Sequence, residues 1–280
     1  MGNRYDHIQE VKKFNPYHDR SNGEFTGPGA TGAFAPLFGR TERGQALLNQ
    51  YKEKHSDMGG AAPAKPAEQK KPVEYKEIDH AEARAMAKKL GQDRDQMPEE
   101  DYRQMATMNN GYFGTRNSFD INEALREGKK LSAEQKKTVD TMDRYMKPSP
   151  EDIKLTRMAD DKLLESLGLS GISASDEDAL SQIQTKVGTV YANPGYSSTR
   201  FDGNGGFFEG RPIKMNINAP KGTKMLVSPA RSRGSSGDID EAEIVLARNT
   251  ATKINAIRPM KDRWGYYVGV EMDCEVIVLD

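Results

Sequence analysis

The chain has 280 residues, of which 35% are hydrophobic and 30% charged, with 41 basic residues against 42 acidic ones and a single cysteine, Cys274. Charge so evenly balanced makes no electrostatic case for binding nucleic acid or a membrane surface, and one cysteine excludes an intrachain disulfide. No apolar run approaches the ~18 residues that cross a bilayer, and residues 1–13 lack the apolar stretch of a secretion signal, so the chain reads as soluble and not exported by a signal peptide.

Residues 1–77 read as a flexible, Gly/Pro-rich N-terminal region: Gly27, Pro28, Gly29, Gly32, Pro36, Gly59, Gly60, Pro63, Pro66 and Pro72 interrupt every periodic pattern within two turns. One short helix is expected near 42–54, where Leu47, Leu48 and Tyr51 share a stripe. A packed domain is expected over 78–280, with a helical part at 78–150. Helices are expected at 81–90, ended by Gly91, and at 99–108. Another carries Ile121, Ala124 and Leu125 on one face and stops at Gly128. Ser132 and Gln135 have the spacing of a capping box, and Val139, Met142 and Met146 continue at helical spacing until Pro148 and Pro150 end the layer.

A β core is expected over 151–280. Ile153, Leu155 and Arg157 alternate with Lys154, Thr156 and Met158 as in a strand, and a short helix at 161–167 is stopped by Gly168. Further strands are expected at 187–191, 213–217, 224–227, 243–247, 253–257, 266–270 and 274–279. Helices first and short strands with Gly and Asn turns afterwards predict an α+β fold: an N-terminal helical layer followed by a mixed, mainly antiparallel sheet core.

Several chemistries are excluded early. His7, His18, His55 and His80 all lie in the first 80 residues and are expected as exposed tail residues, so the region after residue 81 holds no histidine and within it there is no Ser/His/Asp or Cys/His centre and no histidine zinc site. There is no GxxxxGK[ST], and Gly203, Gly205, Gly206 and Gly210 do not match GxGxxG.

Three polar features remain. Arg157 shares a strand face with Ile153 and Leu155; a guanidinium there either snorkels from an edge to water or pairs with an anion. Tyr196, Ser197, Ser198 and Thr199 follow the turn at Asn193, Pro194 and Gly195 and precede the glycine-rich stretch; such hydroxyls are either a plain turn or a ligand contact. Glu241 and Glu243 open the strand Glu241-Ala242-Glu243-Ile244-Val245-Leu246 and face the same way, so they are either solvated edge glutamates or a paired-carboxylate site.

Leu155-Thr156-Arg157, Ser198-Thr199-Arg200 and Glu241-Ala242-Glu243, in that order, resemble the arginine–serine–glutamate class of ADP-ribosyltransferases, the toxin-type, exoenzyme-like group. Asp120-Ile121-Asn122-Glu123-Ala124-Leu125-Arg126 is similar to the helix preceding the catalytic core in that family, and the resemblance covers residues 100–280. Arg200 departs from it, since the family usually has a second serine there.

The resemblance implies a two-sheet ADP-ribosyltransferase core and an NAD-dependent mono-ADP-ribosyltransferase that modifies protein arginine, with NAD as substrate and no metal. It makes Glu243 the group that stabilises the oxocarbenium ion, Ser198 the residue that orients it, and Glu241 the group that holds the incoming arginine. NAD would be bound by Arg157, Ser198 and Thr199, with Arg211 as a second phosphate contact. Phe207 or Phe208 would stack on it, core packing being the alternative for both. The loop 204–211 would close over NAD and the loop 230–240 would face the protein substrate.

The segment 12–26, with Phe14-Asn15-Pro16-Tyr17 and Gly23-Glu24-Phe25, looks like a piece of tailed-phage structural proteins. It implies a phage-encoded effector associated with virion proteins and acting in a host bacterial cytoplasm; an incidental aromatic turn in a flexible tail is the other reading. The competing functions are an NAD glycohydrolase with the same site and an inactive phage structural or interaction protein. No membrane or specific nucleic-acid partner is expected.

Overall fold

The structure is a computed structural model that describes residues 74–106, 112, 116–203, 206–228, 232–234, 237–239 and 242–278. The helix expected at 42–54, the segment 12–26 and three of the four histidines lie outside the described residues.

Among the described residues four α-helices come first: α1 His80–Lys89, α2 Glu99–Ala106, α3 Asn117–Glu127 and α4 Ala133–Tyr145. Side chains set their ends. The Ser132 hydroxyl accepts from Gln135 N while Gln135 returns a bond to Ser132 N, so the capping box read from the sequence is formed. Asp79 and Glu82 build a second one at the start of α1. α3 stops at Gly128, whose φ of 66° is left-handed and costs glycine nothing. His80 is not the exposed residue expected: it opens α1 half-buried, its ring edge-on to Phe201 at 5.1 Å. The packed body also begins ahead of residue 78, since Lys76 exchanges backbone hydrogen bonds with Asp152 and Lys154.

The β core follows as β1 Lys147–Pro148, β2 Ile153–Ala159, α5 Lys162–Ser166, α6 Leu180–Gln184, β3 Val190–Asn193, β4 Ser197–Arg200, β5 Ile213–Ala219, β6 Lys224–Val227, a hairpin of β7 Ser232–Gly234 and β8 Gly237–Ile239, β9 Glu243–Leu246, β10 Thr250–Lys261 and β11 Tyr267–Ile277. Nine of these strands form one mixed sheet in the order β1-β6-β9-β4-β2-β5-β11-β10-β3, antiparallel except where β5 and β11 run parallel. The fold is therefore the α+β arrangement expected.

The sheet is continuous only by its thinnest link. β2 pairs with β5 at all seven of its residues but with β4 at one position, Thr156 opposite Arg200. The half β1-β6-β9-β4 and the half β2-β5-β11-β10-β3 share one apolar core, with Ile244, Leu246 and Met225 from the first and Leu155, Met215, Ile254 and Met272 from the second. A smaller core lies on the other face of the first half, where Tyr196, Leu226 and Val245 pack against Ile121, Val139 and Met142 of the helices.

Among the elements that differ from expectation, three have a plain physical reason. The strands expected at 266–270 and 274–279 are one strand, because Val270, Met272, Cys274 and Val276 keep facing the core while Glu271, Asp273 and Glu275 face outward; the polar outer row imitates a break. β10 continues to Lys261 through Pro259, which is tolerated because β3 accompanies β10 only over Thr250–Lys253, so that among the described residues no strand pairs with that side of β10 at Pro259. α6 was not foreseen; only Ile183 of it is buried, too few apolar positions to mark a period.

Candidate active site

β2, β4 and β9 bring Arg157, Ser198 and Glu243 together at the thin link. Alternation puts Arg157 on the face of Leu155 and Ala159, but beside it β4 has peeled away, and the Arg157 Nη1 reaches across to donate to the Ser198 carbonyl at 2.6 Å. Ser198 lies on β4 opposite Val245, and Glu243 two residues earlier on β9 faces Arg200. Ser198 and Glu243 thus share a face, and the Ser198 hydroxyl donates to Glu243 Oε1. Ala242, just before Glu243, is buried with φ 50°, a left-handed conformation that costs a non-glycine residue about 1 kcal/mol. Backbone bonds on both sides of it hold the bend: Phe201 N donates to Ala242 O at 3.1 Å and Ser228 N to Glu243 O at 3.0 Å.

Thr199 corrects one expectation. Alternation turns it to the opposite face of β4 from Ser198; it is 1% exposed and its hydroxyl donates to Ile244 O at 2.5 Å. It straps β4 to β9 inside the core, with its hydroxyl turned away from the face of Ser198 and Glu243. Glu241 and the side chain of Phe207 lie outside the described residues. Phe208 is half-buried, with the Arg211 guanidinium 3.9 Å from its ring centre and Phe119 edge-on at 6.4 Å.

Sequence reasoning missed Arg126 as a site residue. It closes α3 as the last residue of the family-like segment, and its half-buried guanidinium donates from Nε to Asn193 Oδ1 at 3.2 Å. Burial first, and then the charges of Arg157 and Arg211, pull its pKa below the usual arginine value. Arg211 is lowered for the same reasons, with Asp160 opposing from 3.9 Å. Three guanidiniums crowd one place, and among the described residues Arg126 makes no ion pair. Such a cluster is relieved by a multiply charged anion such as a pyrophosphate.

The helical layer holds this arrangement in place. Asn122 on α3 accepts from Tyr196 N at 2.8 Å and donates to the Tyr112 hydroxyl at 2.7 Å. Tyr112 is buried within range of the charges of Glu243, Arg157 and Arg126, and burial raises its pKa so that the phenol stays neutral. A Cβ on Gly195 would stand 2.8 Å from Asn122 Oδ1, so a larger residue in the turn into β4 would disturb the Asn122 side chain. Tyr196 donates to Asp143 of α4 at 2.7 Å, and Asp143 in turn receives Arg248.

The family model described as ADP-ribosyltransferase exoenzyme matches residues 94–273, well over half of the chain. Among solved structures, Plx2a, an ADP-ribosyltransferase toxin from Paenibacillus larvae, is similar with 21% identity and a TM-score of 0.56, over 71% of this chain and 94% of that one. C3stau2 from S. aureus, solved with NAD, gives 21% identity and 0.55 over 73% of this chain and 99% of that one. The Clostridium limosum C3 exoenzyme gives 23% and 0.56 over 73% and 98%. Comparison with curated protein sequences gives no match. The structural likenesses speak for the fold, and the family model for descent: the chain belongs to the ADP-ribosyltransferase exoenzyme family, transferases that act on NAD.

Proposed function

We propose that the chain transfers ADP-ribose from NAD to arginine side chains of a protein. The observation that carries this reading is the hydrogen bond from Ser198 to Glu243 with Arg157 fastened across the same strand. Breaking the bond between nicotinamide and ribose leaves positive charge on the ribose carbon, and a carboxylate already oriented toward it stabilises that charge without reorganising. Glu243 takes this role and Ser198 fixes its rotamer. Arg157, Arg126 and Arg211 receive the two phosphates, and Phe208 offers a ring for the bases. That the S. aureus relative was solved with NAD supports the same use of the cleft.

The acceptor follows from Glu241. An arginine in water is protonated and a poor nucleophile, so a second carboxylate must hold it and take its proton as its nitrogen attacks the ribose carbon and nicotinamide departs with the bond electrons. Incubation with labelled NAD and agmatine, a small guanidine, tests this. Wild-type protein labels agmatine. Glu243→Gln loses both transfer and NAD cleavage by about 1,000-fold or more, whereas Glu241→Gln keeps cleavage and loses transfer. Free ADP-ribose without labelled agmatine or protein would favour a glycohydrolase instead. A virion-packaged effector acting in a bacterial cytoplasm remains our proposal for delivery; it rests on residues 12–26, and detection of the chain in purified particles tests it.

A further inference from the structure

Arg200 stands where the family resemblance calls for serine, and its surroundings give it a task. It lies two residues after Ser198 on the same face of β4, directly opposite Glu243 on one side and Thr156 of β2 on the other. Its guanidinium turns toward Asp202 and grips it with two bonds, Nε to Oδ1 at 3.0 Å and Nη2 to Oδ2 at 2.5 Å. Both side chains are about four-fifths shielded, with 22% and 20% exposed, which strengthens a charge-assisted fork. The flat guanidinium lies against Gly206: a Cβ there would fall 2.6 Å from Nη1 and 3.1 Å from both Cδ and Cζ. Gly206 also has φ +55°, a conformation that favours glycine, and any Cβ there would have to push the Arg200 guanidinium aside. It opens the 3-10 turn Gly206–Phe208, from which Phe208 and then Arg211 project toward the arginine cluster.

We propose that Arg200, held by Asp202, is a positioning residue for NAD: it forms the floor on which the turn Gly206–Phe208 rests and so sets where Phe208 and Arg211 stand relative to Ser198 and Glu243. This rests on the reading of Arg211 and Phe208 as NAD contacts but not on arginine as acceptor. A serine at 200 is too short to reach Gly206, and a lysine keeps the charge but lacks the two-toothed, planar head. The residue acts on binding of the dinucleotide, because no atom of it needs to move as the nicotinamide bond breaks.

The test is NAD cleavage in water, which needs no protein acceptor, with calorimetric NAD binding measured alongside. Arg200→Ser raises KM and Kd for NAD about ten-fold, the loss expected for a shielded charge-assisted contact, while kcat stays within about two-fold. Arg200→Lys lies between serine and wild type. Gly206→Ala, whose Cβ pushes the Arg200 guanidinium out from under the turn, reproduces the KM effect and serves as the second variant if Arg200→Ser fails to fold. A fall in kcat with KM unchanged would show Arg200 acting on Glu243 and overturn the proposal, as would wild-type KM in both Arg200→Ser and Gly206→Ala. Should Arg211→Ala leave NAD binding intact, the underlying assignment of NAD contacts fails instead.

Discussion

The two sides of strand β2 behave differently. Toward β5 the strand pairs without interruption from Ile153 to Ala159, and the faces so formed bury Leu155, Ile217 and Met215 nearly completely. Toward β4 it pairs once, and in place of the ladder stands one arginine bonded to the Ser198 carbonyl, with a glutamate bonded to the next strand's serine. A full ladder satisfies backbone groups between strands; where it is given up, side chains take over the bonding. Stability belongs to one edge of β2 and chemistry to the other.

That comparison can be broken by mutation. On the ladder side, Met215→Ala should cost about 2–5 kcal/mol of stability, the range for truncating a buried Met, read from urea unfolding, with the KM for NAD of the remaining folded fraction unchanged. A small loss with a large rise in KM would place the cleft on the wrong side. On the open side the signs reverse. Arg126→Ala removes a like-charged, half-buried neighbour of Arg157 and Arg211, so the melting temperature should hold or rise while NAD affinity falls about ten-fold, more steeply at low salt; unchanged affinity would take Arg126 out of the phosphate site.

The smallest effect is on pH and belongs to the ladder side alone. Asp273 on the outer face of β11 is held below the usual carboxylate range by the Arg258 guanidinium, with burial opposing and Asn216 assisting. A carboxyl whose folded pKa is depressed contributes stability above its unfolded value of about 4 and loses it as pH falls through the folded one. Because the pair is largely exposed, the amount is under about 1 kcal/mol. Asp273→Asn should therefore flatten the acid limb of stability below about pH 4 and leave NAD cleavage at neutral pH as it was. An unchanged acid limb would remove the Arg258 pair from the account of the ladder side.

Reading the chain in order recovers some of this and misses the rest for local reasons. The caps at Ser132 and Gly128 are legible because a cap is a contact within three or four residues. Arg157 is legible as misplaced because a charge in an apolar row breaks a period of two. The direction of Thr199 is not legible: a run of three hydroxyls does not say that alternate members point to opposite faces until the run is known to be a strand. Arg126 and Arg200 were seen only as a helix end and a departure from a motif, because their partners Asn193 and Gly206 are reached through folding rather than adjacency.

The amino-acid order by itself determined the helical layer, most strands, the α+β class and the succession of arginine, serine and glutamate, since each depends on spacing along one segment. Tertiary structure alone decided that β2 and β4 part after one pair, that a third arginine joins the other two, and that Arg200 lies beneath a glycine. Those facts depend on which strands become neighbours, and that is settled by burying two faces of one sheet against each other and against the helices, a free energy summed over the whole chain and written at no single position.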